Sequence, residues 1–579
     1  MCGYGGCVWK NGITPSYAEN MTSKMGKQLQ HRGPDDVGTV IGAGFSVVHR
    51  RLAIIDIASG QQPMFSDDRQ VGIAYNGEIY NYQELRIKLE AKGFTFKTNS
   101  DTEVFLALFL SDGYDSFDQL NGMFTAFIWD FRAGSEGEFH LVRDHLGVKP
   151  LYVYEDDEKI LFSSELRAII NAERVDLEPN VEGLASYFTY RYCHAPYTLY
   201  RNIRRVEAGT FLRIRHGKVS NWCYWDIPAS METDISVQEA ASELRQLLKD
   251  SVQGQLMSEV PVGCFLSGGL DSSAVAVLCS ELGAKLLSFN IGFPDLNEFE
   301  FSNRVAEKYE LPHLTIETTP AEIAERFERV VSAMDDPIAD PACFPLHILC
   351  DYVKQHVTVV LSGEGSDEML GGYPQYKRTL DRIPDSSGTL FDHFREYSWY
   401  FNRRVLPLSE SVAPYSLWGH KKYFTERPVL EGMLTYDMKT WFPENLMAKA
   451  DKILMSQSLE GRFPFVSKKI VEFMGRLPEE CKINNNGEKY ILRKAFEKDL
   501  PKSVLTRPKM GFSVPVSDMV TEMKDTVYDL LNTSRRGRFE NVLDHNVLEQ
   551  TFNDHYSGKY TDPLWVWTCL VLLQWVESN

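Results

Sequence analysis

The segment Ser-Gly-Gly-Leu-Asp-Ser-Ser at residues 267–273 limits the possible folds more than any other part of the 579-residue sequence. It follows the apolar run Val262–Leu266 and precedes Ala274–Leu282, which has the composition of a buried helix. Glycines let backbone amides approach an anion, serine hydroxyls add donors, and a helix N-terminus adds partial positive charge. A plain Gly-Ser turn is the alternative, but this strand–loop–helix context predicts a phosphate-binding loop.

The region around this loop has the pattern of an α/β domain. Ser236 and Glu239 form a capping-box pattern at the start of an amphipathic helix. Short apolar runs then alternate with helical stretches, which predicts a parallel sheet with helices on both faces. From about residue 380 onward the pattern is mostly helical. The predicted strands are Val262–Leu266, Leu286–Ile291, His313–Ile316 and Val357–Leu361.

The first 205 residues follow a different pattern, in which β-strands predominate. Apolar or alternating runs bounded by turn residues predict strands, and two stretches have helical spacing. The predicted strands are Phe45–Ile57, Val71–Tyr75, Met123–Asp130 and Glu138–Val142, and the predicted helices are Tyr82–Lys92 and Glu103–Leu110. We therefore expect a first domain over residues 2–210, a linker over 211–235 and a second domain over 236–579.

Composition and charge exclude several classes of protein. The formal net charge is −19, which disfavours broad binding to nucleic acid. Ten cysteines without metal-ligand spacing predict neither a disulfide framework nor a zinc site, and they favour a reducing, cytoplasmic compartment. The N-terminus lacks the pattern of a signal peptide. The apolar run Leu564–Leu573 is too short to span a membrane, so we expect a buried helix and no membrane association.

Five further motifs accompany the Gly-Ser loop. They are Cys2 directly after the initiator methionine, residues 49–56 (His-Arg-Arg-Leu-Ala-Ile-Ile-Asp), residues 75–81 (Tyr-Asn-Gly-Glu-Ile-Tyr-Asn), residues 361–368 (Leu-Ser-Gly-Glu-Gly-Ser-Asp-Glu) and residues 507–512 (Arg-Pro-Lys-Met-Gly-Phe). In this order, the sequence resembles the glutamine-dependent asparagine synthetases over essentially its whole length. The resemblance implies an α+β N-terminal-nucleophile layered sandwich (αββα), followed by an α/β doubly wound parallel-sheet synthetase domain with a helical C-terminal part. It also implies a homodimer.

Cys2 is the predicted nucleophile of a glutaminase. Removal of Met1 would leave the Cys2 thiol beside its own α-amino group, whose reference pKa of about 8 suits a local base. The resemblance assigns the oxyanion to the Asn76 side chain and the Gly77 amide, although Asn-Gly taken alone predicts a hairpin turn.

The resemblance also implies how glutamine is held. Arg51, rather than Arg50, is expected to bind the glutamine carboxylate, because a planar guanidinium suits that contact. Asp101 is expected to hold the substrate amine, and its position also fits an N-cap for the helix at Glu103. The implied glutamine-binding residues are Arg51, Leu52, Asn76, Gly77, Glu78 and Asp101.

The second predicted site takes ATP and Mg²⁺. Asp271 and Asp367 follow two different strands of the predicted sheet, and such strand ends converge on the ligand crevice. The resemblance assigns both carboxylates to the metal and Glu364 to the acyl-adenylate chemistry, as the base for attacking ammonia. The implied ATP-binding residues are Leu266, Ser267, Gly268, Gly269, Asp271, Ser272, Ser273, Ile291, Ser362, Gly363 and Lys489.

The carboxylic acid that receives the nitrogen is less constrained. Lys449 and Lys452 lie in a segment that resembles the acceptor region of the family, although either lysine would also fit a surface. The family's Arg-Val-Pro-Phe-Leu-Asp is replaced by a segment that ends in Ser467, which removes a carboxylate. We therefore expect glutamine as nitrogen donor and aspartate as acceptor. Another carboxylic acid, such as a sugar acid or natural-product carboxylate, is the first alternative, and a non-catalytic nucleotide- or amino-acid-binding relative is the second.

Overall fold

The computed structural model describes most of the chain. The described residues are 2–10, 14–172, 174–229, 235–383, 406–409, 427–511 and 513–579. The part of the Arg507–Phe512 motif that falls on residue 512 lies outside them, as does Met1.

Two six-stranded antiparallel sheets form the N-terminal half. The first sheet has the order β10-β8-β9-β1-β3-β2 and the second β12-β11-β7-β6-β5-β4. The strands are β1 (Gly3–Trp9), β2 (Asp36–Gly42), β3 (Phe45–Arg51), β4 (Met64–Phe65), β5 (Val71–Ile79), β6 (Gly122–Asp130), β7 (Glu138–Arg143), β8 (Tyr152–Glu155), β9 (Lys159–Ser163), β10 (Ile203–Arg205), β11 (Thr210–Arg215) and β12 (Lys218–Cys223).

Helices cover the outer faces of both sheets. Helix α1 (Pro15–Gln28) packs on β1 and β3, and helix α3 (Asp101–Asp112) packs on β5 together with α2 (Tyr82–Ala91). Between the sheets lies an apolar core rich in aromatic rings, which favour tilted and stacked contacts at these distances. This is the predicted αββα sandwich. The remaining helices of this half are α4 (Ser116–Gln119), α5 (Leu166–Ile170) and α6 (Val181–Tyr190), with a 3₁₀ turn at Gly113–Asp115.

The second sheet extends into the segment predicted as a linker. Strands β11 and β12 pair antiparallel from Thr210↔Cys223 to Arg215↔Lys218, and β11 also pairs with β7. Residues 211–223 therefore belong to the sandwich, and the boundary predicted at residue 210 falls too early. The sequence signal was weak because β12 is a largely exposed, polar edge strand.

The C-terminal half contains the predicted parallel sheet. Its order is β15-β14-β13-β16-β17, and every neighbouring pair is parallel. The fifth strand, β17, was not predicted, because it is three residues long and carries two charges. The strands are β13 (Val262–Phe265), β14 (Leu287–Gly292), β15 (His313–Glu317), β16 (Val359–Leu361) and β17 (Glu460–Arg462), and a separate two-stranded ribbon is formed by β18 (Ile483–Asn484) and β19 (Gly487–Glu488).

The helices of this half surround the parallel sheet and continue to the C-terminus. The predicted capping box at Ser236 and Glu239 is present at the start of the first of them. These helices are α7 (Val237–Gln255), α8 (Leu270–Glu281), α9 (Phe299–Lys308), α10 (Pro320–Glu325), α11 (Phe327–Met334), α12 (Cys343–Val353), α13 (Ser366–Leu370), α14 (Pro374–Arg382), α15 (Val429–Lys439), α16 (Ala448–Met455, after a π-helical turn at Phe442–Met447), α17 (Lys468–Arg476), α18 (Glu479–Lys482), α19 (Tyr490–Ala495), α20 (Lys502–Thr506), α21 (Val516–Glu522), α22 (Lys524–Ser534), α23 (His545–Tyr556) and α24 (Pro563–Ser578).

Helix α24 contains the C-terminal apolar run and is buried among other helices, as predicted. None of the helices in the described ranges is both long enough and apolar enough to cross a membrane.

Buried ion pairs join the two halves. The Arg32 guanidinium makes two hydrogen bonds to Asp451, of 2.8 and 3.1 Å, and Lys149 Nζ lies 3.1 Å from the same carboxylate. All three side chains are inaccessible to solvent. Burial would raise the pKa of Asp451, but Arg32 and Lys149 outweigh it and lower the pKa to about 2. The halves therefore meet through a desolvated cluster of charged side chains, in which Asp451 faces two cations.

Candidate active sites

Cys2 lies directly before the central strand β1 of the first sheet and is buried. Its backbone N–H donates to Asn76 Oδ1 at 3.0 Å, and its carbonyl accepts from Arg32 Nε at 3.0 Å. Burial raises the pKa of the Cys2 thiol, and the Leu52 amide and the Arg51 guanidinium oppose that rise. The predicted nucleophile is thus held by its backbone on both sides, with Arg51 near its sulfur.

Asn76 and Gly77 lie in the middle of strand β5, so they do not form the hairpin turn that Asn-Gly alone predicts. Asn76 is inaccessible to solvent, and its Nδ2 has no hydrogen-bond partner in the described part of the chain. A Cβ at position 77 would lie 2.1 Å from the Met123 carbonyl oxygen, so no side chain fits there. A buried amide donor beside Cys2 is what stabilisation of an oxyanion requires.

Arg51 and Asp101 are fixed by their surroundings. The Arg51 guanidinium donates to the carbonyls of the loop after β3, at 3.2 Å to Ile55, 2.6 Å to Asp56 and 3.2 Å to Ile57. Arg50 instead donates through Nε to the carbonyl of Gly26.

Asp101 Oδ2 accepts from Tyr75 Oη at 2.9 Å and from the Ile79 amide at 3.0 Å. Burial raises the pKa of this carboxyl group. Asp101 is the first residue of helix α3, and Ser100 is its N-cap, so the N-cap role expected for Asp101 is wrong. Its carboxylate is therefore turned toward β5, the strand that contains Asn76.

The second site is a cavity at the carboxyl ends of strands β13 and β16. Two loops line it and touch each other, since a Cβ at Gly363 would lie 2.6 Å from the Ser272 amide. Gly268 has a φ of +73°, a conformation that favours glycine. Ser267 Oγ and Ser272 Oγ lie 3.0 Å apart and tie the first loop to the start of α8. Of the predicted ATP-binding residues, this cavity is lined by Leu266, Ser267, Gly269, Asp271, Ser272, Ile291, Ser362, Gly363 and Lys489.

Two lysines join the two carboxylates predicted to bind metal. Lys489 Nζ lies 2.7 Å from Asp271 and 2.6 Å from Asp367. Lys509 Nζ lies 2.8 Å from Asp367. Burial would raise the pKa of Asp367, but Lys489 and Lys509 lower it to about 2. Lys509 was missed as a site residue, although it lies in a motif that the sequence analysis had singled out.

The donor set at this position fits Mg²⁺. The described residues contain no group of three or more His, Cys, Asp or Glu side chains arranged to hold a metal by themselves. Mg²⁺ needs only one or two carboxylates when phosphate oxygens complete its shell. Asp271 and Asp367 are two such carboxylates, and they lie close together because both contact the Lys489 ammonium.

Glu364 occupies the same cavity beside a buried cation. Burial raises the pKa of Glu364, and the Lys449 ammonium opposes the rise. Lys449 Nζ donates to Asp340 Oδ2 at 3.0 Å and is itself buried. Glu364 Oε2 is buried without a hydrogen-bond partner among the described residues. A carboxylate with a raised pKa and a free oxygen is suited to accept a proton.

Two residues considered for the acceptor lie elsewhere. Lys452 Nζ donates to Asp335 Oδ2 at 2.5 Å in the interface between the halves, and it does not line the cavity. Ser467 Oγ donates to Asn121 Oδ1 at 3.3 Å, also at that interface. Ser467 does not itself line the nucleotide cavity.

Comparison with known proteins assigns the family. The profile described as asparagine synthase matches residues 243–577, more than half of the chain. The chain belongs to the asparagine synthase family. The profile described as glutamine amidotransferase domain matches residues 1–225, the region of the sandwich.

Full-length relatives agree with this assignment. Asparagine synthetase [glutamine-hydrolyzing] 1 of Bacillus subtilis is 33% identical over 100% of this chain and 97% of its own length. A putative asparagine synthetase [glutamine-hydrolyzing] of Mycobacterium tuberculosis is 32% identical over 94% of this chain and 92% of its own. Asparagine synthetase B [glutamine-hydrolyzing] of Escherichia coli is 30% identical over 92% of this chain and 84% of its own.

This asparagine synthase family member thus carries one candidate site in each half. The site around Cys2 and Asn76 lies in the region of the amidotransferase profile, and the cavity around Asp271, Glu364 and Asp367 lies in the region of the synthase profile. The predicted fold class, an αββα sandwich followed by a parallel α/β sheet, is confirmed.

Proposed function

We propose that the chain is a glutamine-hydrolysing asparagine synthetase. The observation that carries this proposal is that one chain contains two different sites. One is the buried Cys2 beside the Asn76 amide, whose Nδ2 has no hydrogen-bond partner among the described residues, and the other is a separate cavity with two carboxylates, two lysines and Glu364. A protein that only bound a nucleotide or an amino acid would need one of these sites. The division into residues 2–225 and 236–579 follows the two sites and the extent of the sandwich.

In the first site, glutamine is cleaved at Cys2 after removal of Met1. The free α-amine takes the thiol proton, and the sulfur attacks the glutamine amide carbon. Asn76 Nδ2 and the Gly77 amide stabilise the resulting oxyanion, while Arg51 and Asp101 hold the carboxylate and the amine of the substrate. The proton passes to the leaving nitrogen, ammonia departs, and water hydrolyses the thioester to glutamate. Leu52 and Glu78 complete the glutamine-binding set.

In the second site, the acceptor carboxylate attacks the α-phosphorus of ATP and pyrophosphate leaves. Lys489 and Lys509 neutralise the charge that develops on the leaving group. Asp271 and Asp367 would hold Mg²⁺, which supplies Lewis-acid stabilisation of the phosphate oxygens when bound. The Gly-Ser loop and the start of α8 hold phosphate through backbone amides and hydroxyls.

Glu364 then serves the transfer of nitrogen. Ammonia attacks the acyl carbon of the adenylate, Glu364 accepts the proton that the nitrogen loses, and AMP leaves. Lys449 is placed to bind the acceptor or its developing charge, because it faces Glu364 from the same cavity. With aspartate as acceptor, the products are asparagine, AMP and pyrophosphate. The enzyme is further proposed to be cytoplasmic, which its ten unpaired cysteines support, and a homodimer, which sedimentation would test.

The acceptor is tested with Met1-processed protein, Mg-ATP, ammonium chloride and L-aspartate. Ammonium bypasses the glutaminase, so the assay isolates the second site. We expect aspartate-dependent pyrophosphate in equal amounts with asparagine. Protein that hydrolyses glutamine but shows no aspartate-dependent pyrophosphate would transfer nitrogen to another carboxylic acid, and a series of carboxylates would then replace aspartate in the same assay.

A further inference from the structure

Arg462 lies in the interface between the two halves, where its side chain faces Glu78. It ends β17, the edge strand of the synthetase sheet, and its side chain is buried. Nε donates to Glu460 Oε1 at 2.5 Å, and Nη1 donates to the carbonyls of Gln255 at 2.7 Å and Met257 at 2.6 Å. These two carbonyls lie at the C-terminal end of α7, where the partial negative charge of the helix dipole favours a cation. The contacts hold the guanidinium plane in one orientation.

The remaining nitrogen of Arg462 faces the glutamine site. Nη2 lies 3.5 Å from Glu78 Oε1, and Glu78 follows Asn76 by two residues in β5. Nη2 makes no hydrogen bond in the described ranges, so the pair is a charge contact rather than a closed hydrogen bond. Charged hydrogen bonds of this type are about 2.7–2.9 Å long. A shift of less than about 1 Å in Glu78 would therefore close the contact.

A second route leads from Arg462 to Arg51. Arg462 binds the carbonyls of Gln255 and Met257, and this segment continues to Glu259. The Glu259 carboxylate accepts hydrogen bonds from the amides of Asp56, at 2.9 Å, and Ile57, at 3.2 Å. The carbonyls of those same two residues accept hydrogen bonds from Arg51. Arg462 thus supports both Glu78 and the loop that fixes the Arg51 guanidinium.

The backbone of Arg462 reaches the other site. Leu361 pairs with Arg462 in the parallel sheet, and the Arg462 carbonyl accepts the Ser362 amide at 2.8 Å. Ser362 begins the loop that carries Gly363 and Glu364. One residue therefore anchors a loop of the nucleotide cavity through its main chain and the glutamine site through its side chain.

We infer that Arg462, a residue of the synthetase half, is a positioning residue of the glutaminase, which orients Glu78 and the Arg51 loop for glutamine binding. This inference rests on the proposed function of the Cys2 site. According to this inference, the affinity for glutamine depends in part on the contact between the two halves. Without the synthetase sheet, Arg462 would no longer support Glu78 and Arg51.

Arg462→Lys tests the inference, since lysine keeps the charge but lacks the five-donor fork that reaches two carboxylates and two carbonyls. Glutamate release and ammonia-dependent pyrophosphate release are measured with the full-length, Met1-processed protein. We expect the KM for glutamine to rise about tenfold or more, because displaced binding groups weaken substrate positioning. The glutaminase kcat should stay within about threefold, and ammonia-dependent synthesis should change no more than that.

Arg205→Lys is the matched control. Arg205 is equally buried at the same interface and pairs with Asp336 and Glu444, but it contacts no predicted glutamine-binding residue. Its glutamine KM should stay within about twofold of the unmodified protein. An unchanged glutamine KM in Arg462→Lys, or an equal rise in both variants, would overturn the inference.

Glu259→Ala provides a second variant that does not disturb a buried charge, because Glu259 is exposed. It breaks only the route to the Arg51 loop, so the glutamine KM should rise about threefold while kcat is kept. A KM equal to that of the unmodified protein would refute that route. If the unmodified protein hydrolyses glutamine but makes no asparagine from ammonium and aspartate, the proposal that aspartate is the acceptor is wrong. The glutamine KM of both variants can still be measured from glutamate release, so this failure is distinct from failure of the inference on Arg462.

Discussion

The Asn76→Ala variant tests the oxyanion assignment most closely. It removes the buried Nδ2 donor, and it also removes Oδ1, which accepts the Cys2 amide at 3.0 Å. Loss of one oxyanion donor costs about 2.7–4 kcal/mol of transition-state stabilisation. Loss of the Cys2 hydrogen bond adds about 1 kcal/mol through misplacement of the nucleophile. Together these losses amount to about 3.7–5 kcal/mol, so we expect the glutaminase kcat to fall about 5 × 10²–5 × 10³-fold.

The assay compares glutamate release with ammonia-dependent asparagine formation in the same preparation. Ammonia-dependent synthesis should be kept, because Asn76 lies in β5 and does not line the nucleotide cavity. Asn81→Ala is the control, since Asn81 lies just after β5 and its side chain hydrogen-bonds to the Gln119 carbonyl and the Asn121 amide. A fall of less than about tenfold in glutaminase kcat would refute the assignment of Nδ2 to the oxyanion.

Three further predictions concern the second site and the interface. Asp271→Asn should abolish pyrophosphate release with either nitrogen source, and near-normal release would remove Asp271 from the metal site. Glu364→Gln removes the proposed proton acceptor, so it should reduce ammonia-dependent asparagine formation at least about 100-fold while glutamate release continues. An unchanged rate of asparagine formation would contradict that role. Asp451→Asn should lower the free energy of unfolding by about 3 kcal/mol at pH 7, measured by urea denaturation, because Lys149 loses its buried carboxylate partner while Arg32 keeps a second one in Glu165. The pKa of Asp451 is lowered to about 2 in the folded state, whereas the unfolded value is about 3.9. The ionised Asp451 therefore stabilises the fold above about pH 3.9, and this stabilisation is lost as the pH falls toward 2. A difference in the free energy of unfolding between the variant and the unmodified protein that persists at pH 2 would contradict this.

The sequence predicted those elements whose signals are local. The capping box at Ser236, the loop before α8 and four strands of the parallel sheet all depend on residues that are near one another in the chain. Asn76 and Gly77 show the limit of such signals. Alone they favour a turn, and only the match to a family motif predicted them beside the nucleophile. In the structure Asn76 accepts a hydrogen bond from the Cys2 backbone.

Features that depend on distant contacts were not predicted. Strand β17 has only three residues, two of them charged, and it is stabilised by pairing with β16 rather than by its own pattern. The contact between Arg462 and Glu78 joins residues from different halves, so no local sequence pattern predicts it. The same holds for Lys509, which is a site residue only because the chain folds back onto Asp367.

Transfer of the glutamine nitrogen to aspartate is the central claim. The direct measurement incubates Met1-processed protein with Mg-ATP, L-aspartate and glutamine labelled with ¹⁵N in the amide, and follows labelled asparagine, AMP and pyrophosphate together. The account predicts labelled asparagine and pyrophosphate in equal amounts, and Cys2→Ala should lose this transfer while it still uses ammonium. Glutamate release with no aspartate-dependent pyrophosphate, or loss of ammonium-dependent synthesis in Cys2→Ala, would contradict it.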